Sequence, residues 1–224
     1  MGIYVNPSEA LLKRAVNSRI YVDKSMILHE LNQVLNTEDR FVCVARPRRF
    51  GKSMAGNMIA AYYGKKANSR PILEKLKIAQ TSDFETYLNA FNVIHIDVNG
   101  IYSNSSCNED IVPLFTAKVR RELKLEFPDC DLNDSDFLPD CIEKVFSVTG
   151  EQFVLILDEY DVLVREQVKA SIFAPYLAFL NGMFKNANLV PAFALVYLTG
   201  VLPIVRDKIQ SKLNLFTEYI MTAP

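Results

Sequence analysis

The segment RPRRFGKSM, residues 46–54, decides how this chain is interpreted. Its second half, Gly51-Lys52-Ser53, is the ending of the phosphate-binding pattern GxxxxGK[ST]. In that pattern backbone N–H groups and a helix N-terminus surround phosphate oxygens, the lysine reaches the outer phosphates and the hydroxyl binds Mg²⁺. Arg46 stands where the pattern has its first glycine, which usually permits a tight turn. This departure removes no group that would touch phosphate.

Two interpretations of the segment stay open on its own residues. GK[ST] occurs by chance in many chains, and a basic turn before an amphipathic helix would have the same composition. The context favours a phosphate-binding loop, because an apolar segment of strand length ends at Ala45 and a helical pattern opens at Lys52-Ser53. Gly51 is then the glycine nearest the phosphates, where a side chain would collide with them.

Apolar segments of strand length recur along the chain at wide intervals. Each is nearly continuous rather than alternating, which is typical of strands buried on both faces of a parallel sheet. Strands are predicted at 40–45, 92–98, 152–158, 192–199 and, more weakly, 217–222. Helices are predicted between them at 53–63, 109–126 and 172–186. Strands alternating with helices predict a three-layer α/β domain with right-handed crossovers.

The remaining segments define the predicted domain limits. Residues 1–39 are expected to be a short helical N-terminal lead-in, and residues 40–224 the core. The acidic, turn-rich segment 128–140 is predicted to be a surface loop.

Composition narrows the class of protein. The chain has 224 residues, 50% of them hydrophobic, and a net charge of −1, so no global field recruits nucleic acid. No apolar run of about 18 residues and no secretory signal pattern are evident, which favours a cytoplasmic protein with reduced thiols. The four cysteines form no CxxC pair and only two histidines are present, so a zinc site is not expected.

The segment FVLILDEYD, residues 153–161, has the layout of a Walker B motif, an apolar strand that ends in acids. Asp158 would hold the water shell of Mg²⁺, and Glu159 would polarise the attacking water. A strand that merely ends in solvated acids has the same composition. This strand, however, follows the loop by about 100 residues with another strand between, as P-loop ATPases of the additional-strand type require.

Thr199 ends the fourth predicted strand, where such ATPases place a polar sensor between the metal-bound water and the γ-phosphate. A threonine that only caps a strand before the Gly200 turn is an equally good interpretation. The chain order of the strands fits a sheet order of 5-1-4-3-2, which brings the third and fourth strands beside the loop. On the second strand, His95 is interpreted as a packed residue and Asp97 as reaching the edge of the site.

Four blocks of sequence together resemble the AAA-ATPase-like family of predicted bacterial ATPases. They are YVDKSMIL (21–28), RPRRFGKSM (46–54), VLILDEYD (154–161) and YLTGVLPI (197–204). Because members of this family carry RPRRFGKS at the loop, the resemblance makes Arg46 a family-type substitution. Family members usually continue into a C-terminal region similar to PD-(D/E)xK nucleases, of which these 224 residues show no sign.

The resemblance implies ATP and Mg²⁺ as cofactors and assigns the site residues. Lys52, Glu159 and Thr199 are expected to be catalytic, and Ser53 and Asp158 are expected to bind the metal. The YVDK block of the family implies that Tyr21, with Asp23 and Lys24, lies near the nucleotide. The full set expected to bind the nucleotide is Arg46, Pro47, Arg48, Arg49, Phe50, Gly51, Lys52, Ser53, Met54 and Tyr21.

The leading function is an ATPase module that gates or drives an attached or partner effector, which family relatives suggest is nuclease-like. One alternative is a nucleotide-dependent switch or assembly module that does not hydrolyse ATP. Another is the ATPase part of a nucleic-acid machine, in which a set of arginines would touch the phosphate backbone: Arg48, Arg49, Arg120 and Arg121. Self-association through an arginine supplied in trans, Arg206 or Arg165, is the predicted partner interaction.

Overall fold

Five parallel strands form one sheet at the centre of the computed structural model, which describes residues 2–105, 110–204 and 213–220. The strands are β1 (Phe41–Ala45), β2 (Asn92–Asp97), β3 (Phe153–Asp158), β4 (Phe193–Gly200) and β5 (Thr217–Ile220). Their order is β2-β3-β4-β1-β5, with every neighbouring pair parallel. Read from the opposite edge, this is the order 5-1-4-3-2 given above. The α/β class with a parallel sheet is confirmed.

Side-chain alternation along the strands divides the core into two layers. On β3, Phe153, Leu155 and Leu157 join one apolar cluster, whereas Val154 and Ile156 join another on the opposite face. Every residue of β3 and β4 is buried, while β5 at the edge alternates between exposed and half-buried. The continuous apolar runs of the central strands therefore reflect a sheet covered on both faces.

Helices supply both covering layers. Residues of α1, α2 and α3 pack in the cluster on one face, and residues of α7, α8 and α10 pack in the cluster on the other. Among the described residues, no helix is long and apolar enough to cross a bilayer. The helices are α1 (Ala10–Val16), α2 (Met26–Val34), α3 (Lys52–Tyr63), α4 (Arg70–Leu73), α5 (Phe84–Tyr87), α6 (Val98–Ser103), α7 (Ile111–Glu126), α8 (Leu138–Thr149), α9 (Val162–Arg165) and α10 (Ala170–Phe184), with 3-10 turns at Glu38–Arg40, Lys77–Gln80 and Val190–Ala192.

The predicted surface loop at 128–140 is wrong only at its end, because α8 begins at Leu138 inside that segment. Pro139 suits the first turn of a helix, where its missing N–H has no intrahelical partner. The Asp140 carboxylate accepts the Phe137 N–H at 3.1 Å and caps the helix start. The signal in the sequence is the i, i+3, i+4, i+7 spacing of the buried residues Leu138, Cys141, Ile142 and Val145.

The segment before α1 covers the outer edge of β2. The His95 N–H donates to the Tyr4 carbonyl and the Asn6 N–H donates to the Val93 carbonyl, both at 2.8 Å, around an antiparallel bridge between Val5 and Ile94. An uncovered edge strand would leave such backbone groups unpaired. The start of the chain is therefore packed on the sheet.

The Glu122 carboxylate on α7 holds the backbone of this segment. Glu122 accepts three consecutive backbone N–H groups, from Ile3 at 3.0 Å and from Tyr4 and Val5 at 2.8 Å each. Hydrogen bonds to an ionised acceptor are roughly twice as strong as neutral ones. Glu122 thus ties the N-terminal segment to the helical layer.

Candidate nucleotide site

The loop between β1 and α3 turns through two residues in the left-handed conformation. Arg49 has φ 70° and Gly51 has φ 80°. A Cβ on Gly51 would meet no protein atom within 4 Å, so within the protein its backbone conformation, and not crowding, favours glycine. Arg46 is not in the positive-φ region, and its N–H donates to the Gly200 carbonyl at 3.0 Å. Arg46 therefore continues the pairing of β1 with β4, and the loop forms without its first glycine.

The Lys52 side chain folds back into the loop. Its ammonium Nζ donates to the Arg46 carbonyl at 3.0 Å and to the Pro47 carbonyl at 3.2 Å, and only 8% of the residue is exposed. These contacts join the first turn of α3 to the start of the loop. The Lys52 ammonium group is thereby held inside the turn of the loop backbone.

Most of the other predicted loop ligands are open to solvent. Arg46 is half-buried, and Gly51 is partly exposed. The exposed residues of the loop and of the first turn of α3 are Pro47, Arg48, Arg49, Phe50, Ser53 and Met54.

The YVDK block lies before α2 and has structural contacts of its own. Tyr21 is half-buried against the cluster that contains α1, α2 and α3, and burial together with the nearby Asp23 charge raises its pKa. Asp23 accepts the N–H groups of Ser25 at 2.8 Å and Lys77 at 2.9 Å. Burial alone would raise the pKa of Asp23, but these hydrogen bonds outweigh it and lower the pKa. Lys24 is exposed.

Asp158 and Thr199 meet at the carboxyl ends of β3 and β4. Asp158 is 3% exposed, Thr199 is fully buried, and the Thr199 hydroxyl donates to Asp158 Oδ1. Thr199 is therefore a hydrogen-bond partner of the predicted metal ligand. An aspartate in this position has one oxygen oriented by the protein and a second left for another ligand.

A cavity of about 420 Å³ adjoins these residues and has walls from the loop helix as well as from the strands. Ser53 and Asp158 both line it, together with His95 and Asp97 of β2. Asn57 of α3 and Lys118 of α7 also line it, and neither was predicted. Asn57 follows Ser53 by four residues on α3, a spacing that places both side chains on the same face of the helix. That spacing could have indicated Asn57 from the sequence.

His95 and Asp97 have pKa values shifted in opposite directions. Burial lowers the pKa of His95, although the Asp158 charge opposes the shift. Burial, with the nearby charges of Asp158 and Glu159, raises the pKa of Asp97. Asp97 also accepts the Gly100 N–H at 2.9 Å and caps α6. His95 is thus part of the cavity wall and not only a packed strand residue.

Glu159 contacts an arginine of its own chain. Its carboxylate forms an ion pair with Arg165, whose Nε lies 3.4 Å from Asp161 Oδ2. The Arg165 side chain is 10% exposed. Arg165 therefore faces into its own chain. An arginine acting in trans would instead have to face a neighbouring copy of the chain. Arg206, the other predicted trans arginine, lies outside the described residues.

The arginines considered for nucleic-acid contact lie on different elements. Arg48 and Arg49 are exposed in the loop, whereas Arg120 and Arg121 lie on α7. Arg120 Nη1 donates to the Asp136 carbonyl at 2.7 Å, so one end of its guanidinium has a structural partner.

A family model described as "Predicted AAA-ATPase" matches residues 13–210. The chain belongs to the AAA-ATPase-like family. The resemblance based on the four sequence blocks is thereby confirmed, and membership supports nucleotide binding by a P-loop. No curated protein matches the chain. Among solved structures, the chain is similar to C. elegans PCH-2, with a TM-score of 0.37 and 11% identity over 95% of this chain and 39% of the PCH-2 chain. It spans well under half the length of that protein.

The oxygen groups of this AAA-ATPase-like chain suit a hard cation. Ser53 and Asp158 line one cavity and offer a hydroxyl and a carboxylate, the ligand types that Mg²⁺ prefers. Across residues 2–105, 110–204 and 213–220, no cluster of three or more His, Cys, Asp or Glu side chains could hold a metal. Two oxygen ligands would leave the other positions of a bound Mg²⁺ to water and phosphate, which is the usual manner of this ion.

Proposed function

We propose that this chain is an ATP-binding, Mg²⁺-dependent P-loop ATPase module of the additional-strand type. The supporting observation is that Ser53 of the loop helix and Asp158 of β3 line one cavity, with Asp158 oriented by the Thr199 hydroxyl. The strand order, with β4 between the loop strand and β3, agrees with that assignment. In this proposal residues 40–224 form the ATPase core and residues 1–39 its lead-in. The module would work in the cytoplasm.

Each residue has a defined duty in the proposed reaction. Backbone N–H groups of the loop bind the phosphates of ATP, and Lys52 exchanges its two carbonyl contacts for the β- and γ-phosphates. Ser53 and Asp158 would hold Mg²⁺, which neutralises charge that develops on the phosphates.

The two remaining duties concern the attacking water. Thr199 keeps Asp158 oriented and senses the γ-phosphate, and Glu159 orients the water. Hydrolysis by the isolated module is expected to be slow, because a missing arginine finger is worth about 10³–10⁵ in rate.

The nucleotide site is tested by calorimetry with ATP and Mg²⁺. Lys52→Ala should weaken ATP binding about 10- to 100-fold, since a hydrogen bond to a charged group is worth about 1.5–3 kcal/mol. Lys75→Ala removes an exposed lysine elsewhere on the surface and serves as the matched control. Equal ATP affinity of the Lys52 variant and the wild type would reject the site.

The hydrolytic role is tested separately by phosphate release. Glu159→Gln should keep ATP affinity and lose turnover, and continued hydrolysis by this variant would reject the role of Glu159. A non-hydrolysing nucleotide switch is the second candidate function, and the ion pair between Glu159 and Arg165 favours it. ATP binding without phosphate release, with and without candidate effectors, would identify the switch.

The proposed partners are an effector and a further copy of the chain. The module would gate or drive an effector, such as the nuclease-like region usual in the family. An arginine supplied in trans by a neighbouring copy would complete the site, with Arg206 as the candidate. Phosphate release that rises more than linearly with protein concentration would support self-association.

A further inference from the structure

Arg165 joins Glu159, the residue after the candidate metal ligand Asp158, to the buried Asp161. Its guanidinium pairs with Glu159 on one side and lies beside Asp161 on the other. The exposed fractions of the three side chains are 10% for Arg165, 23% for Glu159 and 1% for Asp161. Such a pair is shielded from solvent more than an ordinary surface ion pair.

The partner of Arg165 on the inner side cannot easily move. Asp161 Oδ2 accepts the N–H groups of Val201 at 2.9 Å and Leu202 at 2.7 Å, which follow the end of β4. Asp161 is therefore held by main-chain groups more than by Arg165.

Tyr160, which lies between Glu159 and Asp161 in the chain, is also held by hydrogen bonds. The Tyr160 N–H donates to the Thr199 carbonyl at 3.0 Å, and its hydroxyl donates to the Leu202 carbonyl at 2.9 Å. Tyr176 donates to the Tyr160 carbonyl at 2.9 Å from α10. Tyr160 and Asp161 are thus fixed against residues 199–202.

Glu159 is held in an unusual conformation with its carboxylate at Arg165. Its φ is 53°, in the left-handed region that a residue with a Cβ rarely adopts. The carboxylate expected to orient water is therefore paired with Arg165.

We propose that Arg165 is a positioning residue that occupies the Glu159 carboxylate, so that hydrolysis requires this ion pair to open. The proposal rests on the proposed ATPase function, because it concerns the residue assigned to orient the attacking water. It assigns Arg165 a role within its own chain. Opening of the pair would be linked through Asp161 to Val201 and Leu202, so a contact just after β4 would control turnover.

The test measures ATP affinity by calorimetry and kcat and KM by phosphate release for Arg165→Met. We expect kcat to rise about tenfold, equivalent to about 1.4 kcal/mol, with ATP affinity and KM unchanged. Arg165→Lys keeps the charge without the planar fork and should give an intermediate kcat. Adding Glu159→Gln to Arg165→Met should abolish the gain, because the gain depends on the released carboxylate.

A second pair of variants serves as the control for folding. It is needed because Arg165→Met removes the cation that lies beside the buried Asp161 carboxylate. Asp161→Asn keeps an oxygen for the Val201 and Leu202 N–H groups and removes the charge. If Arg165→Met does not fold, Arg165→Met with Asp161→Asn is compared with Asp161→Asn alone under the same criterion.

The outcomes separate this proposal from the proposed function. An unchanged or lower kcat in a folded Arg165→Met variant that binds ATP overturns the positioning role and leaves the nucleotide site standing. Absence of ATP binding by the wild type overturns both.

Discussion

Gly200→Ala is expected to destabilise the chain by crowding the contact between the end of β4 and residues 160–161, which follow β3. A Cβ at this position would lie 2.7 Å from Tyr160 Cε1 and 2.9 Å from both Cγ and Oδ1 of Asp161. Distances under 3.0 Å require something to move. Neither neighbour is free to do so, because each is 1% exposed and bonded to the backbone of residues 199–202.

The cost has two parts. Inserting a methyl group into a packed core costs about 1–3 kcal/mol. If Asp161 is displaced, one hydrogen bond to a charged acceptor is weakened or lost, at about 1.5–3 kcal/mol when it is lost completely. With that hydrogen bond lost, the expected loss in free energy of unfolding is about 2.5–6 kcal/mol. With a urea m value near 3 kcal/mol/M, the midpoint should fall by about 0.8–2 M.

Urea unfolding followed by circular dichroism measures this loss, and Gly182→Ala provides the control. Gly182 lies within α10, where an added Cβ meets nothing within 4 Å. Alanine in a helix interior should stabilise the chain by about 0.5–1 kcal/mol relative to glycine. Equal midpoints for the two variants would refute the close approach of residues 158–161 to Gly200.

Three further predictions concern other parts of the molecule. Glu122→Gln replaces one carboxylate oxygen by an amide N–H donor that faces backbone N–H groups. The free energy of unfolding, measured by urea titration, should fall by about 1.5–3 kcal/mol. An unchanged midpoint would show that Glu122 does not hold the N-terminal segment. Gly51→Ala should cost about 1–2 kcal/mol of stability and should also lower ATP affinity measured by calorimetry. Gly150 has φ 67° at the C-terminus of α8 and provides the control. Gly150→Ala should cost the same stability without any loss of ATP affinity. For Asp83, burial would raise the pKa, but hydrogen bonds from side chains including Asn32 outweigh it and lower the pKa. That stabilisation is present above the ordinary aspartate pKa of about 3.9 and is lost as pH falls through the folded value. Asp83→Asn should therefore be less stable near pH 7 with a deficit that narrows below about pH 4, and a deficit independent of pH would contradict this.

The architecture could be predicted because it is encoded in local patterns. Each buried strand is a continuous apolar run, and RPRRFGKSM places the loop between the first strand and its helix. The meeting of Asp158 at the end of β3 with Thr199 near the end of β4 follows from the same reasoning, since carboxyl ends of parallel strands share one edge of a sheet. Helix α8 was missed although its spacing was visible, because Pro139 and the acidic residues before it were interpreted as a turn.

Contacts between distant residues were decided by the tertiary structure. Glu122 binds backbone groups more than 100 residues earlier in the chain, and no periodicity indicates which helix will cover the edge of β2. The wall that His95 and Asp97 share with Lys118 likewise depends on where α7 lies over the sheet.

Arg165 shows the limit most clearly. It follows Glu159 by only six residues, yet its spacing does not say whether it points to a neighbouring copy or back to its own chain. Side-chain direction depends on how residues 158–165 fold onto the end of β4, and that is set by hydrogen bonds to residues 199–202. Local sequence specifies the elements and the chemistry they carry, whereas the orientation of charged side chains depends on packing between segments far apart in the chain.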